Sequence, residues 1–227
     1  MIVSEILYFT SQHSLLSLPL FVIAAAIIGG AMAHLTKNSL WFALVAIGFV
    51  AGILNIFLGS SINALYLARY GTYGTAVITH GEQTSSQLND QFIWHYDVVV
   101  RTADGRDVKT SFDTMSASLY PPRNQIDIPP EGERFVVKYI PGFARNIAIM
   151  RDESSFGRRE LMRKALGPVQ RARAQLEASP ANPAFKAEYR DALQQLLDGH
   201  QADMSPAEAA AYRNELRRLD DPVVPAR

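Results

Sequence analysis

Cysteine is absent from the 227 residues. Its absence removes disulfides, thiolate nucleophiles and thiolate metal ligands together. Charge is almost missing from one third of the chain: residues 1 to 70 carry only Glu5, Lys37 and Arg69. The first fourteen residues hold no Lys or Arg, which excludes the positive leader of a secretory signal peptide. Net charge is zero, with 22 basic and 22 acidic side chains, so no global electrostatic term draws the chain to nucleic acid. The five histidines, His13, His34, His80, His95 and His200, form no HxH, HxxxH or HExxH pattern, and metal-ligand spacing is missing with them. There is no Walker loop, no G-x-S-x-G and no glycine-rich dinucleotide fingerprint, and Ser111, Asp113 and Ser116 form no recognisable nucleophile context. No cofactor is expected.

What the first third has instead is two long apolar runs, Leu15–Leu35 and Leu40–Ser60. Each is about 20 residues, enough at about 1.5 Å per residue to cross a hydrocarbon layer of roughly 30 Å. They predict a transmembrane helical hairpin with a tight turn at residues 34–39, the second helix running on to Tyr70. Residues Ile6–Ser14 read as a short interfacial helical turn. Pro19 falls near the start of the first helix, where a missing N–H costs least. Ala25, Gly29 and Ala33 on the first helix, and Gly48 and Gly52 on the second, recur at four-residue spacing. Small residues so spaced let helix backbones approach closely in lipid. Two readings stay open: packing inside the hairpin, or a homo-oligomer face. Asn55 is expected to hydrogen-bond within the bundle.

From residue 71 the pattern switches to period two. Strands are expected at 75–80, 92–102, 107–114, 134–140 and 146–150. Trp94, Tyr96, Val98 and Val100 share one face of the second strand, and His95, Asp97, Val99 and Arg101 the other. Asp104-Gly105 signals a hairpin, and Pro141-Gly142 a turn. The proline-rich stretch 116–133 reads as a surface loop. Five short strands predict a small closed antiparallel β-barrel or sandwich.

Several runs in this part resemble a bacterial family catalogued as domain of unknown function 3592. They are Gly74-Thr75-Ala76-Val77, Tyr96-Asp97-Val98-Val99-Val100 and Asp104-Gly105-Arg106. The run from Gly132 to Pro141, with its Val137-Lys138-Tyr139-Ile140-Pro141 ending, closes the match. The resemblance covers residues 70 to 150 and implies a small β domain beside transmembrane helices. Gly132-Glu133 departs from the family's common Gly-Asp. The family brings no chemistry to carry over.

Residues 151 to 227 read as a helical tail. Gly167-Pro168 is expected to kink or split the first helix. Asn182-Pro183 starts a second as N-cap and first turn. Ser205-Pro206-Ala207-Glu208 is a capping box for a third, which should stop before Pro222. Arg158, Arg159, Arg163 and Lys164 form a basic run that suits either an amphipathic helix on a lipid surface or a partner contact.

The expected organisation is therefore 1–70 hairpin, 71–150 β domain and 151–227 helical tail. It describes a multi-pass protein of a bacterial inner membrane, with its C-terminal parts cytoplasmic. Its expected partners are membrane lipid and a protein, not nucleic acid. The leading functional reading is a non-catalytic, membrane-tethered interaction module that assembles or regulates a membrane complex. A toxin-neutralising immunity protein is the second reading. An enzyme using His80, His95 and Asp97 is the third.

Overall fold

A computed structural model describes residues 1–220 of the chain. It divides into two compact units, the first of residues 1–156 and the second beginning at Gly157.

The first unit opens with three helices, α1 (Ile2–Gln12), α2 (Ser14–Thr36) and α3 (Ala43–Tyr70). The expected interfacial turn is a full helix of 11 residues. Lys37 ends α2 in a left-handed conformation, φ 55°. Asn38 then accepts the Leu40 N–H at 3.0 Å and starts a short 3-10 helix, Ser39–Phe42, that leads into α3. Helices α2 and α3 are long and apolar enough to cross a membrane, and only 11% and 22% of their most apolar windows are buried. The core helix of a soluble protein would bury most of such a stretch. Here the arrangement is inverted. Ser17, Gly29, Gly48, Gly52, Asn55 and Gly59 face inward, while Leu20, Ile27, Phe49 and Phe57 stand outside. Helix α1 repeats the inversion, burying Ser4 and Ser11 and exposing Ile2 and Ile6.

Only Gly71 separates α3 from the sheet. The strands are β1 (Thr72–Leu88), β2 (Gln91–Arg101), β3 (Asp107–Asp113), β4 (Leu119–Tyr120), β5 (Arg134–Ile140) and β6 (Phe143–Met150). Their order is β3-β2-β1-β5-β6-β4, with β4 parallel to β6 and every other pair antiparallel. The expected closed antiparallel barrel is therefore an open, mixed sheet. It curls far enough for the Thr110 hydroxyl on β3 to donate to the Arg145 carbonyl on β6, at 2.7 Å. No ladder closes that gap. Its concave face buries Ile78, Val98, Val100, Phe112, Phe135 and Val137, with Phe156 beneath Phe135.

Strand β1 is 17 residues long, far beyond the expected 75–80. The missed half, Gly81–Leu88, is rich in Gln, Ser and Thr and shows no apolar alternation. What extends it is a two-residue turn, Asn89-Asp90, with φ 50° and 61°. Both residues tolerate left-handed backbone, and two such positions make the turn that matches strand twist. The ribbon outruns its neighbours, because β5 pairs with β1 only from Thr72 to Val77. Trp94, expected on the core face with Val98, is 40% exposed for that reason. The stretch read as a surface loop is also corrected in part: Ser116, Ala117, Ser118 and Leu119 are buried, and Leu119 opens β4.

Helix α4 (Ser155–Ala178), which leads from the first unit into the second, runs through Gly167-Pro168 as one continuous helix, so the expected split does not occur. Helices α5 (Pro183–His200) and α6 (Pro206–Asp220) complete the second unit. Asn182 caps α5 by accepting the Ala184 N–H at 3.0 Å. At α6 the Ser205 hydroxyl accepts the Glu208 N–H, and the Glu208 carboxylate accepts from the Ser205 N–H and hydroxyl. Tyr189, Leu193 and Leu196 of α5 pack with Val169 and Ala172 of α4. Pro222, the expected stop, lies outside the described residues.

Candidate functional site: a cleft beside a polar lock

Two buried polar groups tie the helices to the sheet. On α3, the Asn63 amide donates to the Ser118 hydroxyl at 2.8 Å and to the Asn146 Oδ1 of β6 at 2.7 Å. One Asn146 amide hydrogen donates back to Asn63 Oδ1 at 2.9 Å, and the other is shared between the Ser4 hydroxyl and carbonyl of α1, at 2.9 and 3.0 Å. Asn63 and Asn146 are each 1% exposed. Four segments thus meet in one satisfied network, the kind that specifies a single packing. Lys138 of β5 adds a bond to the Ala68 carbonyl at 2.7 Å, near the C-terminus of α3, where a cation suits the helix dipole. Its ammonium lies 4.4 Å from the Tyr73 ring centroid. Further along α3, Asn55 donates to the Thr10 carbonyl at 2.9 Å and the Ser17 hydroxyl at 2.8 Å, holding α1 and α2 at their junction.

Next to that junction lies a cleft of about 900 Å³. Leu15 and Leu16 of α2 and Ile56 and Phe57 of α3 form its apolar floor. Leu88 and Ile93 line it from the β1–β2 tip, and the segment after β3, from Asp113 to Ile126, forms the opposite wall. Arg151 shapes that wall from below. Its side chain is 1% exposed, its guanidinium donates to the Pro121 and Gln125 carbonyls, and Asp127 lies 3.3 Å away. Burial lowers the Arg151 pKa, with Arg123 adding to the effect and Asp127 opposing it. The wall begins in an Asx turn: the Asp113 carboxylate accepts the Met115 and Ser116 N–H groups at 2.8 and 2.7 Å. Ser116 and Asp113 are therefore turn residues, engaged with backbone.

The other expected residues fall in separate places. Gly48 and Gly52 face α2: a Cβ added at Gly48 would lie 2.6 Å from the Ala25 Cβ, and one at Gly52 3.0 Å from Leu18. Gly29 faces the Trp41 carbonyl at 2.7 Å on the same measure, and Ala33 is half-buried near the end of α2. Gly48→Val should force the two helices apart at a cost of about 1–3 kcal/mol. Unfolding in mixed micelles would read that loss. An unchanged midpoint would mean that the helices do not depend on this close approach.

His80 stands opposite Asp97 in the β1–β2 ladder, and His95 opposite Glu82 and Asp113. Among the described residues no three His, Cys, Asp or Glu side chains gather as a metal site. Arg158, Arg159, Arg163 and Lys164 are exposed on α4, and Glu160 pairs with Arg163 at 2.6 Å and Lys164 at 3.5 Å. The Arg163 hydrogen bond, before all else, holds the Glu160 carboxyl at about 2, below its ordinary 4.5. A lowered acid pKa stabilises the fold above the unfolded value, and that contribution disappears as pH falls from 4.5 towards 2. Carboxyl NMR should find Glu160 still ionised at pH 3, whereas an ordinary titration would separate it from Arg163.

Neither the pairing of Asn63 with Asn146 nor the cleft is among the features expected from sequence. Each half of the pair is a polar residue in apolar surroundings, Asn63 near the end of the second apolar helix and Asn146 before Ile147-Ala148-Ile149-Met150; the cleft left no signal, because its walls come from segments far apart in the chain. The chain matches no family model, no curated protein and no solved structure. The resemblance over residues 70 to 150 rests on the quoted runs alone.

Proposed function

We propose that this is a two-pass protein of a bacterial inner membrane, a non-catalytic module that holds a rigid sheet at the cytoplasmic face and there binds a protein partner, assembling or regulating a membrane complex. One observation carries the reading. Helix α3 runs without a break from its apolar half into the Asn63–Asn146 lock, so the sheet is fixed to the helices rather than hung on a linker. A platform of that kind presents surfaces at set height and angle, which lowers the ordering cost of binding. The inside-out helices support the membrane part, and Arg69 with the basic start of α4 supports the cytoplasmic side against the single Lys37 of the turn. Photo-crosslinkers placed on the exposed edge strand β3, at Lys109, should capture a protein in a fixed ratio in cells. Capture that varies with abundance alone would count against a dedicated partner.

A further inference from the structure

The β1–β2 ribbon ends in apolar side chains that nothing in the sheet covers. Leu88 is 47% exposed, Phe92 43% and Trp94 40%, and beside them Met115 is 45% and Ile126 49% exposed. Between Gln83 and Trp94 the only charged side chain is Asp90. An exposed apolar group from three separate segments marks a binding surface rather than scattered surface residues.

Depth identifies what covers it. Counting from Leu40, about 20 residues at about 1.5 Å each place the sheet-side boundary of the hydrocarbon near Ser60. Ile56 and Phe57 lie inside that boundary. Leu88, Met115 and Ile126 line the same cleft as Ile56 and Phe57. The ribbon tip and the 113–126 wall therefore descend to the level where the helices leave lipid. Trp94 is bonded through its backbone to Thr114, beside Met115, which brings it to the same level, and Trp is the side chain that membrane interfaces favour.

We infer that the sheet makes a second contact with the leaflet from which α2 and α3 emerge: Leu88, Phe92, Trp94, Met115 and Ile126 enter its headgroup and upper acyl region. The contact rests on the insertion of α2 and α3 proposed above. It ties the far end of the sheet to lipid while the Asn63–Asn146 lock ties the near end to α3. The cleft between the two is then roofed by sheet and floored by helix, and it opens onto lipid.

The chain holds two tryptophans, Trp41 and Trp94, which makes the test direct. The full chain carrying Trp41→Phe is reconstituted in phosphatidylcholine–phosphatidylglycerol vesicles with lipids brominated at shallow or deep acyl positions. Trp94 emission should shift to the blue and be lost to the shallow bromines, with aqueous acrylamide ineffective. Quenching by acrylamide and by no brominated lipid overturns the contact. A parallel protein with Trp41→Phe, Trp94→Phe and Phe49→Trp reports on the helices themselves, and deep bromines should quench it. If they do not, the insertion of α2 and α3 fails and the contact falls with it; if they do while Trp94 stays wet, only the contact is wrong.

Discussion

Asn146→Ala should cost the folded protein about 3 kcal/mol, read as a fall in denaturant midpoint in detergent. The estimate follows from what remains behind. Truncation leaves the Asn63 Nδ2 and Oδ1 and the Ser4 hydroxyl buried, and each unsatisfied group costs about 1–3 kcal/mol. Some of that returns through relaxation and surviving partners: Ser118 still accepts from Asn63. Asn63→Ala should cost a similar amount, and the double change much less than the sum, since the second truncation removes groups already orphaned. The apolar pair Asn63→Leu with Asn146→Leu should be milder than the sum of the two alanine changes, because neither amide is left to strand the other and only Ser4 and Ser118 lose a partner. A plainly additive cycle would mean that the two amides do not act as a unit. The consequence reaches past stability. Without the lock, what still holds the sheet to α3 is Gly71, the Lys138 bond and the packing of Ala64 and Leu67 on Ala148, with Tyr66, Tyr120 and Ile140 beside them.

The second large effect is expected at Arg151. Arg151→Ala should destabilise by about 3–5 kcal/mol, the range for removing one partner of a buried ion pair. Asp127 would keep its charge at 13% exposure with no cation at 3.3 Å, and the Pro121 and Gln125 carbonyls would lose their donor. Arg151→Lys should rescue little, because an ammonium is a point charge and cannot span three acceptors as a planar fork does. Limited proteolysis would locate the damage: new cleavage within 121–127 is expected before cleavage elsewhere. Unchanged resistance in that segment would mean that the wall of the cleft stands without Arg151.

Much of this molecule was legible from its residues. The two apolar helices, their turn at Lys37, the 134–140 strand and both caps of the tail are local signals, set by periodicity and by side chains that reach their own backbone. Three expectations fell short, each for its own physical reason. The β1–β2 ribbon was cut short because Gly81–Leu88 bears no alternation, and none is needed where a ribbon has no core beneath it. The barrel was closed on strand count, whereas closure depends on the β3–β6 gap, which one Thr110 bond bridges without a ladder. Of the kink or split expected at Gly167-Pro168 the split did not occur, because tertiary packing of Val169 and Ala172 on α5 outweighs one lost helical hydrogen bond. The candidate site shows the same limit more strongly. Asn63 and Asn146 are 83 residues apart, and nothing local to either announces the other.

The most direct measurement is the sidedness of two single cysteines, made possible by a chain that has none. Ser39→Cys lies in the turn between α2 and α3, and Ser205→Cys in the second unit. Each is exposed in intact cells to a membrane-impermeant maleimide. A hairpin that crosses twice, with both chain ends inside, predicts that Ser39→Cys labels at once and that Ser205→Cys labels only after the membrane is opened. Equal labelling of both positions in intact cells would contradict it, since α2 and α3 could not then both span.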